Sequence, residues 1–417
     1  MTTQAKYNHI PALRFPEFLN DGEWETKRLG EIAERVTIRN KSNEQLPVLT
    51  NSATEGVINQ QDYFDREIVT KDNLTNYHVI DLDDFVYNPR ISAAAPVGPI
   101  SRNKVGIGIM SPLYTIFRFK EGNLDFFEQY FRTKCWHQYL KDRANFGARF
   151  DRMNITSEDF LNLPLPFPPL AEQRRIAESL SSLDEMLSAT KGKLEELKAY
   201  KKGLMQKLFP AQGKTLPVFR FKEFEKEEEW KVKKLGDVTR VVNRRNKSNR
   251  KLPIYSISNK DGFIPQSEQF DGLDSNSRGY DTSMYKIVTS NTFVYNPARI
   301  NVGSIGHSGE IKECLVSSLY VCFKTTDEID DTFLMCFFNT SSFSQSVENN
   351  VEGGIRSYLF YENFSKIKVM FPSMLEQKKI ASCLVTVDEG ISALSNKASE
   401  LEKQKTGMMQ RMFPITK

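Results

Sequence analysis

The stretch LAEQRRIAESLSSLDEMLSATKGKLEELKAYKKGLMQKLFP, Leu170–Pro210, decides the fold of this chain. From Ile176 onward, one residue in every four and then every three is apolar, apart from Thr190 and Lys201. The resulting seam consists of Ile176, Leu180, Leu183, Leu187, Thr190, Leu194, Leu197, Lys201, Leu204 and Leu208. A rhythm of this kind over about four heptads predicts a long coiled-coil helix. Phe209–Pro210 closes it, because proline cannot continue a helix.

The same helical pattern occurs twice in the sequence. It returns as Met374–Pro414, displaced by 204 residues (374 − 170 = 204), with the seam Ile380, Leu384, Val387, Ile391, Leu394, Ala398, Leu401, Lys405, Met408 and Met412. RNKSN stands at Arg39–Asn43 and Arg245–Asn249, and FVYNP at Phe85–Pro89 and Phe293–Pro297. A period of about 200 residues far exceeds the roughly 20–50 of solenoids and propellers. Two domain-sized halves are therefore expected.

Each helix of about 40 residues would be about 60 Å long, and neither can bury its seam alone. A seam could pack on its own domain, or the two helices could pair. Pairing must be antiparallel, since each helix runs from its own domain towards the other. We predict an α+β (mixed α/β) fold with two similar globular domains, separated by two long helices in an antiparallel coiled coil of pseudo-twofold symmetry. The expected boundaries are domain one 1–165, helix one 166–210, domain two 211–368 and helix two 369–417.

Within each domain, short β-branched and aromatic runs predict strands. These are LPVLT, DFVYNP and YTIFRF in the first half and LPIYSIS, NTFVYNP and SLYVCF in the second. Near the end of each domain, an aromatic amphipathic stretch predicts one helix: LDFFEQYFRTKCWHQYL from Leu124, and DDTFLMCFFNTSSF from Asp330.

The composition, 39% hydrophobic and 26% charged residues, is that of a soluble globular protein. No apolar run is long enough for a membrane span, and the first residues hold no secretion signal, so a cytoplasmic protein is expected. The five cysteines never occur as C-x-x-C, and the four histidines do not cluster with other ligands. Neither a disulfide framework nor a metal site is expected.

A net charge of +4 alone does not indicate nucleic-acid binding, but the distribution of the charges along the chain is more informative. Six cations and no acid lie within twelve residues: Arg240, Arg244, Arg245, Lys247, Arg250 and Lys251. The segment just before them is rich in glutamate. A solvated loop would explain such a run, and so would a nucleic-acid surface. Two basic domains at a fixed separation suit a bipartite duplex site, which can be asymmetric because the domains differ.

Phosphate contacts position a protein on DNA, whereas base contacts specify the sequence. Parts that recur should therefore bind phosphate, and loops that differ should read bases. The recurring turn and its basic flank supply Arg39, Lys41, Arg244, Arg245, Lys247 and Arg250. The loop after YNP supplies Arg90, Arg102 and Lys104 in one half and Arg299 in the other, and arginine can read guanine bidentately. A second differing loop, NFGARFDRMN against EGGIRSYLFY, supplies Arg149, Arg152 and Arg356. Any one of these arginines could instead form a surface ion pair.

The order of these segments resembles the specificity subunit of type I restriction–modification systems. The resemblance is carried over the full length by LPLPFPPLAEQRRIAESL with its Glu172–Gln173, by the second entry with Glu376–Gln377, and by the Phe-Pro exits. It implies two target-recognition domains that each read half of a bipartite site, with the helices as a ruler. It also implies two methyltransferase subunits docked on the solvent faces of 169–208 and 373–412, and restriction/translocase subunits. S-adenosylmethionine, ATP and Mg²⁺ would be bound by those partners, and no cofactor by this chain.

No catalytic motif is complete. Asn88–Pro89–Arg90 and Asn296–Pro297–Ala298 lack the second proline and the aromatic residue of adenine methyltransferases. Gly213–Lys214–Thr215 resembles the end of a P-loop, but Leu208 stands where the first glycine of the motif should be. Pro217 opposes the helix that should follow. We therefore expect a non-catalytic DNA reader. The alternative is a stand-alone DNA-bridging or regulatory protein without partner enzymes.

Overall fold

The computed structural model describes residues 10–63, 71–144, 151–211, 213–259, 262–351 and 358–414. The chain divides into two compact units. Unit 1 comprises residues 1–191 and 396–417, and unit 2 comprises residues 192–395. Both divisions fall inside long helices, so each unit contains part of each helix.

Unit 1 is built from short strands and helices. Its strands are β1 (Glu25–Arg28), β2 (Ala33–Val36), β3 (Leu49–Ser52), β4 (Gly56–Asn59), β5 (His78–Ile80), β6 (Phe85–Tyr87), β7 (Ile100–Arg102), β8 (Gly108–Met110), β9 (Thr115–Phe119) and β10 (Pro164–Phe167). Its short helices are α1 (Leu29–Ile32), α2 (Gln60–Tyr63), α3 (Leu124–Phe131), α4 (His137–Arg143) and α5 (Ser157–Leu161), with 3-10 turns at Pro16–Phe18 and Lys71–Asn76. Antiparallel pairing forms one sheet in the order β2-β9-β6-β7 and three ladders, β1-β10, β3-β4 and β5-β8.

The central sheet of unit 1 is buried on both faces. Side chains alternate along each strand, so neighbouring residues enter two different apolar clusters. On β9, Phe117 stacks on Phe85 of β6 at 5.7 Å and meets Phe160 of α5 edge-on at 5.6 Å. The preceding residue, Ile116, points to the opposite face and joins a separate cluster with Val86. The strands predicted around FVYNP and YTIFRF thus lie at the centre of the domain core.

The first long helix is α6 (Leu170–Leu208). It lies within the predicted segment 166–210. In the described part of the chain, no helix is both long and apolar enough to cross a membrane.

Unit 2 repeats the architecture of unit 1. Its strands are β11 (Lys231–Lys234), β12 (Thr239–Val242), β13 (Tyr255–Ser258), β14 (Gly262–Pro265), β15 (Lys286–Thr289), β16 (Phe293–Tyr295), β17 (Ile305–His307), β18 (Glu313–Val316), β19 (Val321–Thr325) and β20 (Lys368–Phe371). Its short helices are α7 (Leu235–Val238), α8 (Gln266–Gln269), α9 (Asp331–Phe338), α10 (Ser341–Glu348) and α11 (Tyr361–Phe364), with 3-10 turns at Lys222–Phe224 and Ile300–Val302. The sheet order β12-β19-β16-β17 and the ladders β11-β20, β13-β14 and β15-β18 match unit 1 strand for strand.

The second long helix, α12, spans Met374–Met412, inside the predicted 369–417. All twenty predicted seam residues of α6 and α12 are buried or half-buried. The heptad prediction is therefore confirmed.

Within each unit the two long helices pair. In unit 1, Lys405 Nζ lies 2.5 Å from Asp184 Oδ1, and Lys191 Nζ lies 2.6 Å from Glu402 Oε1. Residue numbers rise along one helix as they fall along the other, so the pairing is antiparallel. The seams thus pair with each other, while their first residues, Ile176 and Leu180 or Ile380 and Leu384, also pack in the core of their own domain.

Unit 2 shows the same antiparallel pairing. Lys201 Nζ lies 2.6 Å from Asp388 Oδ1, and Gly390 lies against Leu197. Lys201 and Lys405 are the charged residues of their seams, and each meets an aspartate of the other helix. A polar residue at a seam position disfavours alternative registers at a cost in stability.

The Phe-Pro exits anchor the helix ends in aromatic cores. In unit 1, the ring of Phe413 lies 5.5 Å from Phe126 and 5.7 Å from Tyr130. In unit 2, the ring of Phe209 lies 5.3 Å from Phe333. Burial of each phenylalanine explains why these exits recur in the sequence.

The prediction of one helix from Leu124 and one from Asp330 was wrong, because each stretch forms two helices. In unit 1, α3 ends at Phe131 and the Thr133 hydroxyl donates to the Tyr130 carbonyl. In unit 2, α9 ends at Phe338, and the Thr340 hydroxyl donates to the Phe337 carbonyl and caps the next helix by accepting the Phe343 N–H. Threonine competes for backbone groups in this way, which favours a break over a continuous helix.

Candidate nucleic-acid interface

Both RNKSN motifs form a tight turn held by their first asparagine. Asn40 Oδ1 accepts the Glu44 N–H at 2.9 Å, and Asn40 Nδ2 donates to the Glu44 carbonyl at 3.0 Å. Asn246 makes the same two bonds with Arg250, at 2.9 and 3.0 Å. Both asparagines are buried. Their recurrence is explained by the turn itself, since asparagine side chains can replace backbone bonds in turns.

The second asparagine of the motif also has a backbone reason to recur. Asn43 and Asn249 have φ of 51° and 48°, in the left-handed region. Their N–H groups donate to the carbonyls of Asn40 and Asn246 at 3.0 and 2.7 Å. Asparagine is enriched in this region relative to most residues. The two asparagines of each repeat thus build a structural turn, and its charged positions lie beside and between them.

Those charged positions are exposed. They are Arg39, Lys41, Arg245 and Lys247. Arg245 Nη1 lies 3.8 Å from the Met284 sulfur, and none of the four makes a salt bridge with another described residue. The asparagines hold the backbone, so these cations are free to meet phosphate. Their role in phosphate contact remains a prediction.

The positive charge of the basic run in unit 2 is partly neutralised by a glutamate on a distant strand. Arg244 Nη1 and Arg250 Nη2 lie 3.2 and 2.5 Å from the two carboxylate oxygens of Glu313 on β18. The hydrogen bond from Arg250, followed by the charges of both arginines, lowers the pKa of Glu313. This acid lies more than sixty residues away in sequence. Arg244 and Arg250 are therefore weaker phosphate candidates than Arg245 and Lys247.

The loops after YNP are hairpin tips that differ in length between the units. Each tip is closed by the YNP asparagine: Asn88 N–H donates to the Pro99 carbonyl and Asn296 N–H to the Ser304 carbonyl, both at 3.0 Å. In unit 1, Gly98 has φ of 80°, and a Cβ there would lie 2.0 Å from the Asn88 carbonyl oxygen. Only glycine fits there. The YNP motifs thus end a strand in a turn.

Two of the predicted base readers stand exposed at these tips. Arg90 follows YNP in unit 1, where its backbone bridges that of Arg152, and Arg299 begins the 3-10 turn of unit 2. Arg152 is three-quarters buried and lies 3.6 Å from Asp151. Arg149 and Arg356 lie outside the described residues.

Arg102 is occupied by acids within unit 1, which disfavours it as a base reader. Its guanidinium lies 2.7 Å from both Asp83 and Asp125, and its side chain is 13% exposed. Burial opposes its charge, but hydrogen bonds and charges from the two aspartates raise the pKa of Arg102 overall. Lys104 is more exposed, but its Nζ lies 2.8 Å from Glu128. Both side chains hold β7 and its flank on α3.

A cleft of about 630 Å³ opens beside this hairpin in unit 1. The β3-β4 turn, the loop after YNP and the α3-α4 connection form its walls, with Lys104 and Lys134 on them. His137 also lines it, and burial, followed by the charges of Lys141 and Lys134, lowers its pKa to about 4. The histidine is therefore neutral at pH 7, and the charged groups of the cleft are two lysines, two arginines and two glutamates.

A repeated strap, which consists of an arginine and a tryptophan from the first residues of each unit, holds the start of each long helix and was not predicted from the sequence. Arg14 binds Glu172 through Nε at 2.7 Å and Nη2 at 2.8 Å, and Trp24 Nε1 donates to the same carboxylate at 3.1 Å. The hydrogen bond to Glu172, opposed by burial, raises the pKa of Arg14. The signal was readable, because LRFPEFLNDGEW at Leu13–Trp24 returns as FRFKEFEKEEEW.

The second strap uses the equivalent residues. Arg220 binds Glu376 at 3.0 and 2.8 Å, and Trp230 Nε1 donates to it at 3.3 Å. The glutamines that follow the two glutamates have a shared task as well. Gln173 accepts the Asn123 N–H and Gln377 accepts the Asp330 N–H, at 2.8 and 2.9 Å. The Glu-Gln pair thus joins the long helix to the strap and to the first turn of α3 or α9.

Among the described residues, no group of three or more His, Cys, Asp or Glu side chains could hold a metal ion. The geometry of the candidate interface is instead that of exposed cations on two rigid elements, the RNKSN turn and the hairpin tip. Both elements occur once in each unit.

The family model described as "Type I restriction modification DNA specificity domain" matches the chain twice, over residues 21–199 and 227–403. The type I restriction enzyme MjaVIII specificity subunit of Methanocaldococcus jannaschii is 23% identical over 437 aligned residues, which cover 98% of this chain and 95% of that protein. The MjaX protein of the same organism, a predicted specificity subunit, is 26% identical. That match covers 68% of this chain and 65% of the relative.

Solved structures show the same fold. The type I restriction–modification S subunit from M. genitalium superimposes with a TM-score of 0.60 at 15% identity, covering 97% of this chain and 99% of that one. A chain from a structure on complex assembly and conformational transition of the type I system gives 0.54 at 15% identity, covering 94% and 97%.

Proposed function

Because this chain belongs to the type I restriction–modification DNA specificity family, we propose that each of its units reads one half of a bipartite, asymmetric duplex site. The observation that carries the proposal is the combination of an identical turn with a different hairpin tip in each unit. The turns present Arg39 and Lys41, or Arg245 and Lys247, as phosphate contacts. The tips present the residues that choose bases.

The long helices set the spacer between the half-sites in this proposal. Their heptad seams run without a break through α6 and α12, so their length is defined by the chain. Lys201–Asp388 in unit 2 and Lys405–Asp184 in unit 1 disfavour a shifted register. A spacer of constant length follows from a register of this kind.

The solvent faces of 169–208 and 373–412 dock two methyltransferase subunits that modify adenine N6. Apolar side chains remain exposed there: Met186 is 46%, Tyr200 59% and Val385 36% exposed. Single exposed apolar residues are common on protein surfaces, so the proposal of docking on these faces rests on the family and not on these side chains. S-adenosylmethionine, ATP and Mg²⁺ would be bound by the partner subunits, including any restriction/translocase subunits.

The alternative is a stand-alone DNA-bridging or regulatory protein. Purification of the tagged full chain from its native host distinguishes the two. Saturating recovery of a methyltransferase with the chain supports the specificity subunit, whereas high-affinity duplex binding by the chain alone, without such a partner, supports the bridge.

Exchange of one unit's recognition domain for that of a relative tests half-site reading. Methylome sequencing of cells that carry the chimera should show one half-site changed, with the other half-site and the spacer unchanged. A chimera that changes both half-sites contradicts autonomous reading by each unit. Restoration of the original domain serves as the control.

A further inference from the structure

The hairpin tip of unit 2 contains a 3-10 turn held by backbone hydrogen bonds. The Arg299 carbonyl accepts the N–H groups of Val302 and Ser304, both at 3.1 Å. Gly303 ends the turn with φ of 85°. Below it, Ile300 is 3% exposed and belongs to the core of unit 2. A turn anchored in this way holds its outward residues in place before any ligand arrives, which lowers the entropic cost of binding.

Two side chains that can form hydrogen bonds project from this turn and have no partner among the described residues. Arg299 and Asn301 are exposed, and neither side chain hydrogen-bonds another described residue. Backbone bonds, together with Asn296, hold the turn without them. Asn301 therefore has no structural task in the turn that explains a carboxamide at this position.

The equivalent tip of unit 1 has different chemistry. Ser92 accepts the Ala95 N–H on its hydroxyl at 3.1 Å, and its own N–H donates to the Ala95 carbonyl at 3.0 Å. Between them, Ala93 and Ala94 are exposed. This tip offers methyl groups where unit 2 offers a carboxamide, so the two tips suit different bases.

We infer that Asn301 reads an adenine in the half-site of unit 2, next to a guanine read by Arg299. Asparagine matches adenine N6 and N7 with two hydrogen bonds, as arginine matches guanine O6 and N7. Arg299 caps the 3-10 turn and Asn301 lies within it, so the two side chains leave the backbone at separate points and are assigned to neighbouring base pairs. The inference rests on the proposed function and names the base chemistry of one of its sites.

The test is a selection of duplexes from a randomised library by the full-length chain, alone and with the partner subunits that co-purify with it. For Asn301→Ala we expect the preference for adenine at one position to fall roughly 5- to 150-fold, with the rest of the site unchanged. Asn301→Gln should retain adenine, and Asn301→Asp should favour cytosine, whose N4 amine donates to a carboxylate. Asn349→Ala, at an exposed asparagine on the end of α10, is the matched control and should change nothing.

The outcomes separate the inference from the function on which it rests. If neither the unsubstituted chain nor its complex with co-purified partner subunits enriches a sequence, sequence reading by this chain is wrong and the inference falls with it. If it enriches a bipartite site that Asn301→Ala and Asn301→Asp leave unaltered, Asn301 is not a base reader although the proposed function stands. Circular dichroism of each variant shows whether it folds. If the alanine variant does not fold, the glutamine and aspartate variants test the inference in its place.

Discussion

Asn246 is fully buried in the second RNKSN turn, whereas Lys247 beside it is exposed. The same pattern holds for Asn40 and Lys41 in the first turn. One recurring motif therefore combines side chains that build a turn with side chains that the turn presents. Substitutions at neighbouring positions should separate the two roles.

Asn246→Ala should destabilise unit 2. It removes the bonds to both backbone groups of Arg250 and leaves these part-buried groups without that partner. The free energy of unfolding should fall by about 1–3 kcal/mol. Urea unfolding of the full chain measures this, and an unchanged stability would show that the turn does not depend on its asparagine.

Lys247→Ala should leave stability unchanged and weaken DNA binding of every sequence alike. Loss of one phosphate contact should reduce the slope of log K against log salt by about 1. Fluorescence anisotropy across a salt series measures the slope, with Lys366→Ala, an exposed lysine after α11, as the control. A loss of affinity confined to one sequence would instead assign Lys247 to base reading.

At the scale of elements, the long helices are joined by a repeated polar contact. Lys201 meets Asp388 in unit 2 as Lys405 meets Asp184 in unit 1. In unit 1, burial alone would raise the pKa of Asp184, but bonds from Lys405 and Gln129 with the charges of Lys405 and Arg132 lower it overall. A lowered carboxylate pKa stabilises the folded state above the unfolded pKa, and this contribution is lost as the pH falls through the folded value.

Reversal of the unit 2 pair tests whether this contact matters. Lys201→Glu and Asp388→Lys alone should each lower stability by about 0.2–1 kcal/mol, because the pair is only partly buried. The double variant should recover most of the loss. A double-mutant cycle by thermal unfolding measures the coupling, and additive losses would show that the two side chains do not interact.

At the scale of the whole molecule, the proposed ruler predicts the response to a longer helix. Insertion of one heptad in each helix, after Lys193 and after Lys397, keeps both seams in phase. Seven residues add about 10.5 Å. At about 3.4 Å per base pair, the spacer should lengthen by about three base pairs while both half-sites stay the same.

Methylome sequencing with the inserted variant measures the spacer. An insertion of four residues in each helix breaks the heptad phase and serves as the contrast, with lower helix stability expected. An unchanged spacer after the heptad insertion would contradict the ruler.

The periodic and repeated features of this protein were predictable from its sequence. The seam from Ile176 to Leu208 follows from spacing alone, and the two halves follow from repeated motifs such as RNKSN and FVYNP. These signals are local or internal to the chain, so no knowledge of distant contacts is needed. The family resemblance followed from the same segments.

Tertiary structure alone decided which charges are free. Arg102 was predicted to read bases, but Asp83 and Asp125 occupy it, and Glu313 meets the arginines of the basic run from a distant strand. Ion pairs of this kind join residues that are far apart in sequence, and their geometry is set by strand register. Spacing along the chain therefore predicted the helices and the repeat, whereas the availability of each arginine depended on how the sheet folds back on itself.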